Sequence, residues 1–113
     1  MQVYVGKKII REANKIKERH PKILRYKFYP EKQCPIALRL QYQFPHFIFC
    51  VRRTEVLAAH KKVIAGRRHN RIAWDLPESV TRFIDRYDKD KEVDPFYLYI
   101  PKEVVNFFKK EIP

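Results

Sequence analysis

Glycine, cysteine, long apolar runs and, over most of the chain, acidic residues are all scarce here, and each scarcity removes a class of protein. The two glycines, Gly6 and Gly66, stand sixty residues apart. A glycine-rich loop that cradles phosphates with bare backbone N–H groups is therefore excluded. The two cysteines, Cys34 and Cys50, are sixteen apart. That spacing makes no paired-cysteine metal knuckle; two free thiols fit a reducing compartment, with a Cys34–Cys50 disulfide as the alternative. The longest apolar run is "FIFCV", Phe47 to Val51, whereas a bilayer span needs about 20 residues. The opening "MQVYVGKKII" carries its charges after its apolar run and lacks a small-residue cleavage site, so it does not read as a secretory leader. A soluble protein of the cytoplasm or another reducing compartment, without membrane contact, is expected.

The shortage of acid is uneven. Residues 1–74 hold 18 Lys and Arg against four Glu, a balance of +14; residues 75–113 hold seven against nine Asp and Glu, a balance of −2. A basic body is thus followed by a near-neutral C-terminal part, for a net charge of +12. Self-repulsion in a compact domain is costly, so charge of this size points to a polyanionic partner. What is plentiful is apolar and aromatic: 45% hydrophobic, with eight Phe and seven Tyr in 113 residues. That is enough for the core of one domain and excludes a disordered basic tail.

Periodicity supplies the elements. "QVYV" alternates as a short strand, and "KKIIREANKIKER" places Ile9, Ala13 and Ile16 on one helical face. "KILRYKFY" alternates Leu24, Tyr26 and Phe28 against Arg25 and Lys27. "IALRLQYQF" sets Ile36, Leu38, Leu40, Tyr42 and Phe44 against Arg39, Gln41 and Gln43; both read as half-buried strands. "HFIFCV" is apolar on both faces and reads as a central strand, or as the end of one long strand bent at Pro45. Thr54 is placed to cap a helix "EVLAAHKKVIA" that Gly66 ends. "RIAW" reads as a short strand. Asp75 and Glu78 suggest a capping box for a helix with Val80, Phe83, Ile84 and Tyr87 at i, i+3, i+4 and i+7. "FYLYI" reads as a strand and "PKEVVNFFKKEI" as a last helix. The expected fold is α+β: a single compact domain, 1–113, with an antiparallel sheet of three to five strands covered by about four helices.

Two candidate sites follow. The first is a polar sheet face carrying Arg25, Lys27, Arg39, Gln41 and Gln43 with no carboxylate among them, suited to phosphate oxygens. The second is the run Lys61, Lys62, Arg67, Arg68, Asn70 and Arg71, where five cations exceed the one or two that a helix dipole accounts for. Trp74, at the end of that run, is the candidate for stacking on a base, with a core anchor as its structural alternative.

Catalytic constellations are missing. His20, His46, His60 and His69 share no metal-ligand spacing with a carboxylate or cysteine. "IALRLQYQF" and "HFIFCV" hold no acid pair for a magnesium-dependent nuclease. "DKDKEVDPFYLY" places Val93 and Tyr99 where a calcium loop needs glycine and glutamate. The order helix, strand, strand, strand, helix over residues 7–65 is similar in topology to double-stranded RNA-binding domains. However, Lys61 and Lys62 come late in the second helix rather than opening it.

The expectation is a small basic nucleic-acid-binding protein, for RNA or DNA, without catalysis, cofactor or metal. A ribonucleoprotein subunit or an accessory factor in replication or transcription would have this character. The alternative is an inhibitor or adaptor docking on an acidic protein surface, or self-associating, through Val104, Phe107 and Phe108 of the last helix. A metal-dependent nuclease ranks last.

Overall fold

The computed structural model describes residues 1–19, 34–61 and 71–111. Strand β1 (Gln2–Val5) leads through Gly6 into helix α1 (Lys7–Arg19). Helix α2 (Pro35–Gln43) follows, then strands β2 (Phe47–Val51), β3 (Glu55–His60) and β4 (Arg71–Asp75). Helix α3 (Glu78–Asp88), strand β5 (Phe96–Tyr99) and helix α4 (Lys102–Glu111) complete the chain. The strands form two antiparallel sheets, β1–β5 and β2–β3–β4. The α+β single domain is as expected, with the strands divided between two small sheets.

β1, α1, β4, α3, β5 and α4 lie where the periodicity places them. In α3, Val80, Phe83, Ile84 and Tyr87 are the buried stripe. Its expected capping box is absent: Pro77 occupies the cap position, and no side chain bonds there.

Three expectations are corrected. "PIALRLQYQ" is helix α2, not a strand. Ala37 is buried there and Tyr42 is 55% exposed, the reverse of what alternation demands. Pro35 pre-sets the first turn, and Ala, Leu, Arg and Gln are good helix formers. The apolar alternation was incidental to a helix buried around most of its first two turns. "EVLAAH" is strand β3, not a helix. It lies between β2 and β4, and both its edges are satisfied by ladders. That pairing outweighs the helical preference of Leu57, Ala58 and Ala59. β2 is accordingly an edge strand and β3 the central one. Pro45 bends no strand: it lies between α2 and β2, where Phe47 N–H donates to the Phe44 carbonyl at 3.2 Å. With α2 before β2 and a strand at β3, the order no longer matches double-stranded RNA-binding domains. The expected strand in "KILRYKFY" lies outside the described residues.

The core gathers around Phe108. This ring is 1% exposed. Its centroid lies 4.2 Å from Phe44, 4.7 Å from Phe47, 5.8 Å from Phe49 and 6.2 Å from Trp74. Val104 on the same helix is equally buried. The side chains expected to dock a partner are thus largely used inside, with Phe107 at the margin against Phe47.

β1 and β5 pair in the register Gln2–Tyr99, Val3–Leu98, Tyr4–Tyr97 and Val5–Phe96. Ile100 N–H donates to the Met1 carbonyl at 2.7 Å. The N-terminal and C-terminal parts of the chain are therefore tied twice, by a ladder and by an aromatic core. Phe108→Ala should lower unfolding free energy by about 3–5 kcal/mol, the usual cost of a large ring lost from a core. Urea unfolding monitored by circular dichroism measures it; a change below about 1 kcal/mol would place Phe108 outside the core.

Candidate nucleic-acid interface

Of the twelve residues singled out by sequence, Arg25, Lys27, Lys62, Arg67, Arg68 and Asn70 lie outside the described residues. The other six are placed, and Arg39, Gln41 and Gln43 are not where the sheet-face reading had them. Arg39 and Gln41 sit on helix α2, so no sheet face joins them to Arg25 and Lys27 as paired strands. Arg39 Nε–H donates to the Tyr4 carbonyl at 3.0 Å, and Gln41 Nε2–H donates to the Pro45 carbonyl at 3.4 Å. Arg39 bonds a neutral acceptor and forms no ion pair among the described residues. Trp74 is 6% exposed and meets Phe108 edge to face. Its ring anchors the core and is closed to stacking on a ligand.

Lys61 and Arg71 are brought together. β3 and β4 are antiparallel with Ala59 opposite Arg71, so Lys61 continues from β3 at the end where β4 begins. Lys61 N–H extends the sheet by donating to the His46 carbonyl at 2.9 Å, and the His46 and His60 rings stack there. Both cationic side chains are exposed, and neither forms an ion pair among the described residues. Residues 62–70, with Lys62, Arg67 and Arg68, connect these two strands in sequence.

The opposite end of the same sheet is neutralised. Arg52 pairs with Glu55 across the β2–β3 turn at 3.4 Å. Arg53 reaches α3 and holds Asp85 with two nitrogens, at 3.0 Å each. This guanidinium keeps the Asp85 carboxyl below the usual carboxylate range. The two ends of one small sheet therefore differ in electrostatic character.

A groove of about 950 Å³ runs between α1 and residues 90–95. Its walls carry Lys7, Arg11, Lys17 and Lys91, but also Glu18, Asp90, Glu92 and Asp94. Lys17 is tied to Asp90 at 2.6 Å and to the Tyr87 carbonyl at 2.8 Å. Four charges of each sign make a poor trough for phosphates.

Sequence reasoning overlooked the outer face of the β1–β5 ribbon. Val3, Val5 and Leu98 point into the core, which leaves Tyr4, Tyr97 and Tyr99 outward at 47%, 64% and 59% exposure. The signal was legible in "QVYV" and "FYLY": two short alternating strands in which three of the four outward positions are tyrosine and the fourth is Gln2. Tyr42, one helical turn from Arg39, is exposed as well, and its hydroxyl donates to the Glu12 carboxylate.

No group of three or more His, Cys, Asp or Glu among the described residues is placed to hold a metal ion. Both cysteines are free, and burial pushes the Cys34 thiol up to about 11, far from a reactive thiolate. No described helix is long and apolar enough to cross a membrane. No family model, curated protein or solved structure matches the chain.

The Arg53–Asp85 pair carries a pH signature. A depressed carboxyl pKa contributes stability above the ordinary carboxylate range, and the contribution is lost as pH falls through the folded value. Arg53→Gln should therefore be less stable than wild type at neutral pH, with the gap closing in acid. Urea unfolding at pH 7 and pH 3 measures the gap; an undiminished difference at the lower pH would mean that the pair is not its source.

Proposed function

We propose that this protein binds nucleic acid through its phosphate backbone and performs no chemistry on it. One observation carries the reading. With 25 Lys and Arg against 13 Asp and Glu, at least twelve cations have no carboxylate to neutralise them within the chain. Lys61 and Arg71 stand at one end of the three-stranded sheet, and Lys62, Arg67 and Arg68 lie between them in the sequence. Phosphate oxygens accept hydrogen bonds from such groups, and each contact releases a condensed counter-ion. The reading covers RNA and DNA alike. It suits a ribonucleoprotein subunit or an accessory factor in replication or transcription, and the free thiols fit a reducing cytoplasm.

A second reading, docking on a protein partner, has one observation in its favour. The middle of the outer face of the three-stranded sheet is apolar: Ile48, 46% exposed, lies opposite Ala59, and Leu57 lies opposite Cys50 and Ala73, with Glu55, Arg71 and Asp75 towards its ends. An apolar face of this kind is a common feature of protein contact surfaces. Ile48→Lys would remove a partner contact of that sort and leave nucleic-acid affinity unchanged or higher.

The phosphate reading is tested by affinity for single- and double-stranded DNA and RNA across a salt series, with nuclease-treated protein. Four to six phosphate contacts give log affinity a slope against log salt of about −3 to −5. Lys61→Gln with Arg71→Gln should weaken binding to all sequences alike and reduce that slope by about 2. Arg67→Ala with Arg68→Ala should do the same. A wild-type protein that binds no polymer at low salt would end the reading.

A further inference from the structure

We propose that the outer face of the β1–β5 ribbon is a stacking platform for the unpaired bases of single-stranded nucleic acid. The proposal rests on the phosphate-binding reading and specifies the form of the polymer.

Three tyrosines share this face for a structural reason. The two strands are paired so that Tyr4 lies opposite Tyr97 and Gln2 opposite Tyr99. Val3 and Leu98, between them, are 2% and 0% exposed. The core thus holds the ribbon from beneath and aims the rings outward. Tyr4 and Tyr97 support each other, with centroids 4.8 Å apart. The backbone also makes room: a Cβ on Gly6 would lie 2.7 Å from the Tyr4 ring. Of the six large apolar side chains exposed among the described residues, half are these three tyrosines. Such clustering is unlike the scattered exposure that needs no explanation.

Chemistry selects the occupant. A tyrosine offers a flat π face and little hydrogen-bond coding. Every base also has a π face, so stacking is tolerant of sequence, but a duplex keeps those faces covered. Alternate residues of an antiparallel strand are about 6.8 Å apart. That is about twice the 3.4 Å rise of stacked bases, so a stretched strand sets one base over each of Tyr97 and Tyr99. Cations flank the rings. Arg39 bonds the Tyr4 carbonyl from α2, which packs along β1. On the other side a pocket of about 450 Å³ joins Tyr97 and Tyr99 to Arg82 and Arg86 of α3, with Asp94 as the one carboxylate of its wall among the described residues. Arg86 is engaged by the Glu92 carbonyl at 2.9 Å, a neutral acceptor that leaves its charge in place. Aromatic faces between arginines answer the two components of a nucleotide, base and phosphate.

The test is anisotropy titration of a labelled oligothymidine and of a labelled DNA duplex with the full chain at low salt. Three proteins are compared: wild type, Tyr97→Ala with Tyr99→Ala, and Tyr97→Phe with Tyr99→Phe. The alanine pair should bind the single strand roughly thirtyfold more weakly or worse. It should bind the duplex like wild type. The phenylalanine pair should retain single-strand affinity, because stacking uses the ring and not the hydroxyl. An alanine pair that binds oligothymidine like wild type would overturn the platform and leave the phosphate reading standing. Equal losses on both polymers, or the same loss in the phenylalanine pair, would also overturn it. If wild type binds neither polymer, the phosphate reading fails and the platform with it.

Discussion

The burial of Phe108 is the contact on which the rest of the structure depends. The ring belongs to the near-neutral C-terminal part of the chain. Phe44, Phe47, Phe49 and Trp74, which enclose it, all belong to the basic part. A body with a balance of +14 repels itself, and an aromatic core is a short-range attraction that salt and pH scarcely alter. It therefore secures the fold while leaving the surface charge uncompensated. The β1–β5 ladder is the second tie between the same two parts. It uses backbone hydrogen bonds, and on its outer face the Tyr4–Tyr97 pair adds a cross-strand contact.

Surface function follows from how those ties dispose of charge and rings. In the β2–β3–β4 sheet, the turn end is neutralised by Glu55 and Asp85. At the other end Lys61 and Arg71 form no ion pair among the described residues. The difference arises from α3, which crosses near the turn and brings Asp85 to Arg53. Similarly, the acidic residues of the C-terminal part, Glu92 and Asp94, settle along the α1 groove and balance its lysines and arginine.

The parts legible in the sequence were those with one buried face and one wet face. α1 and α3 carry their apolar residues at helical spacing, and β1 and β5 alternate, so local pattern and final environment agree. The misread segments were those buried on more than one side. In α2, Pro35, Ile36, Ala37, Leu38 and Leu40 are all buried. Once most positions are apolar, a period of two and a period of 3.6 are hard to separate. β3 presents the converse case. Its helix-forming residues sit in a strand because β2 and β4 satisfy both its edges, a long-range condition that no window of sequence contains. The candidate site suffered accordingly: a polar face built on two supposed strands dissolved when one of them proved helical. Trp74, at the border of the basic run, turned inward. The three tyrosines that turned outward were hidden in strands whose inward residues drew the attention.

By itself the sequence determined the charge imbalance, the supply of core residues, the α+β class and the elements whose periodicity is local. Those depend on composition and on neighbours within a few positions. Only the tertiary structure decided which cations lose their charge to a partner, which aromatic rings are buried and which strands lie side by side. Each of these depends on residues far apart in the chain, such as Arg53 with Asp85, Phe44 with Phe108 and Tyr4 with Tyr97. Their proximity is created by packing, so no local pattern records it.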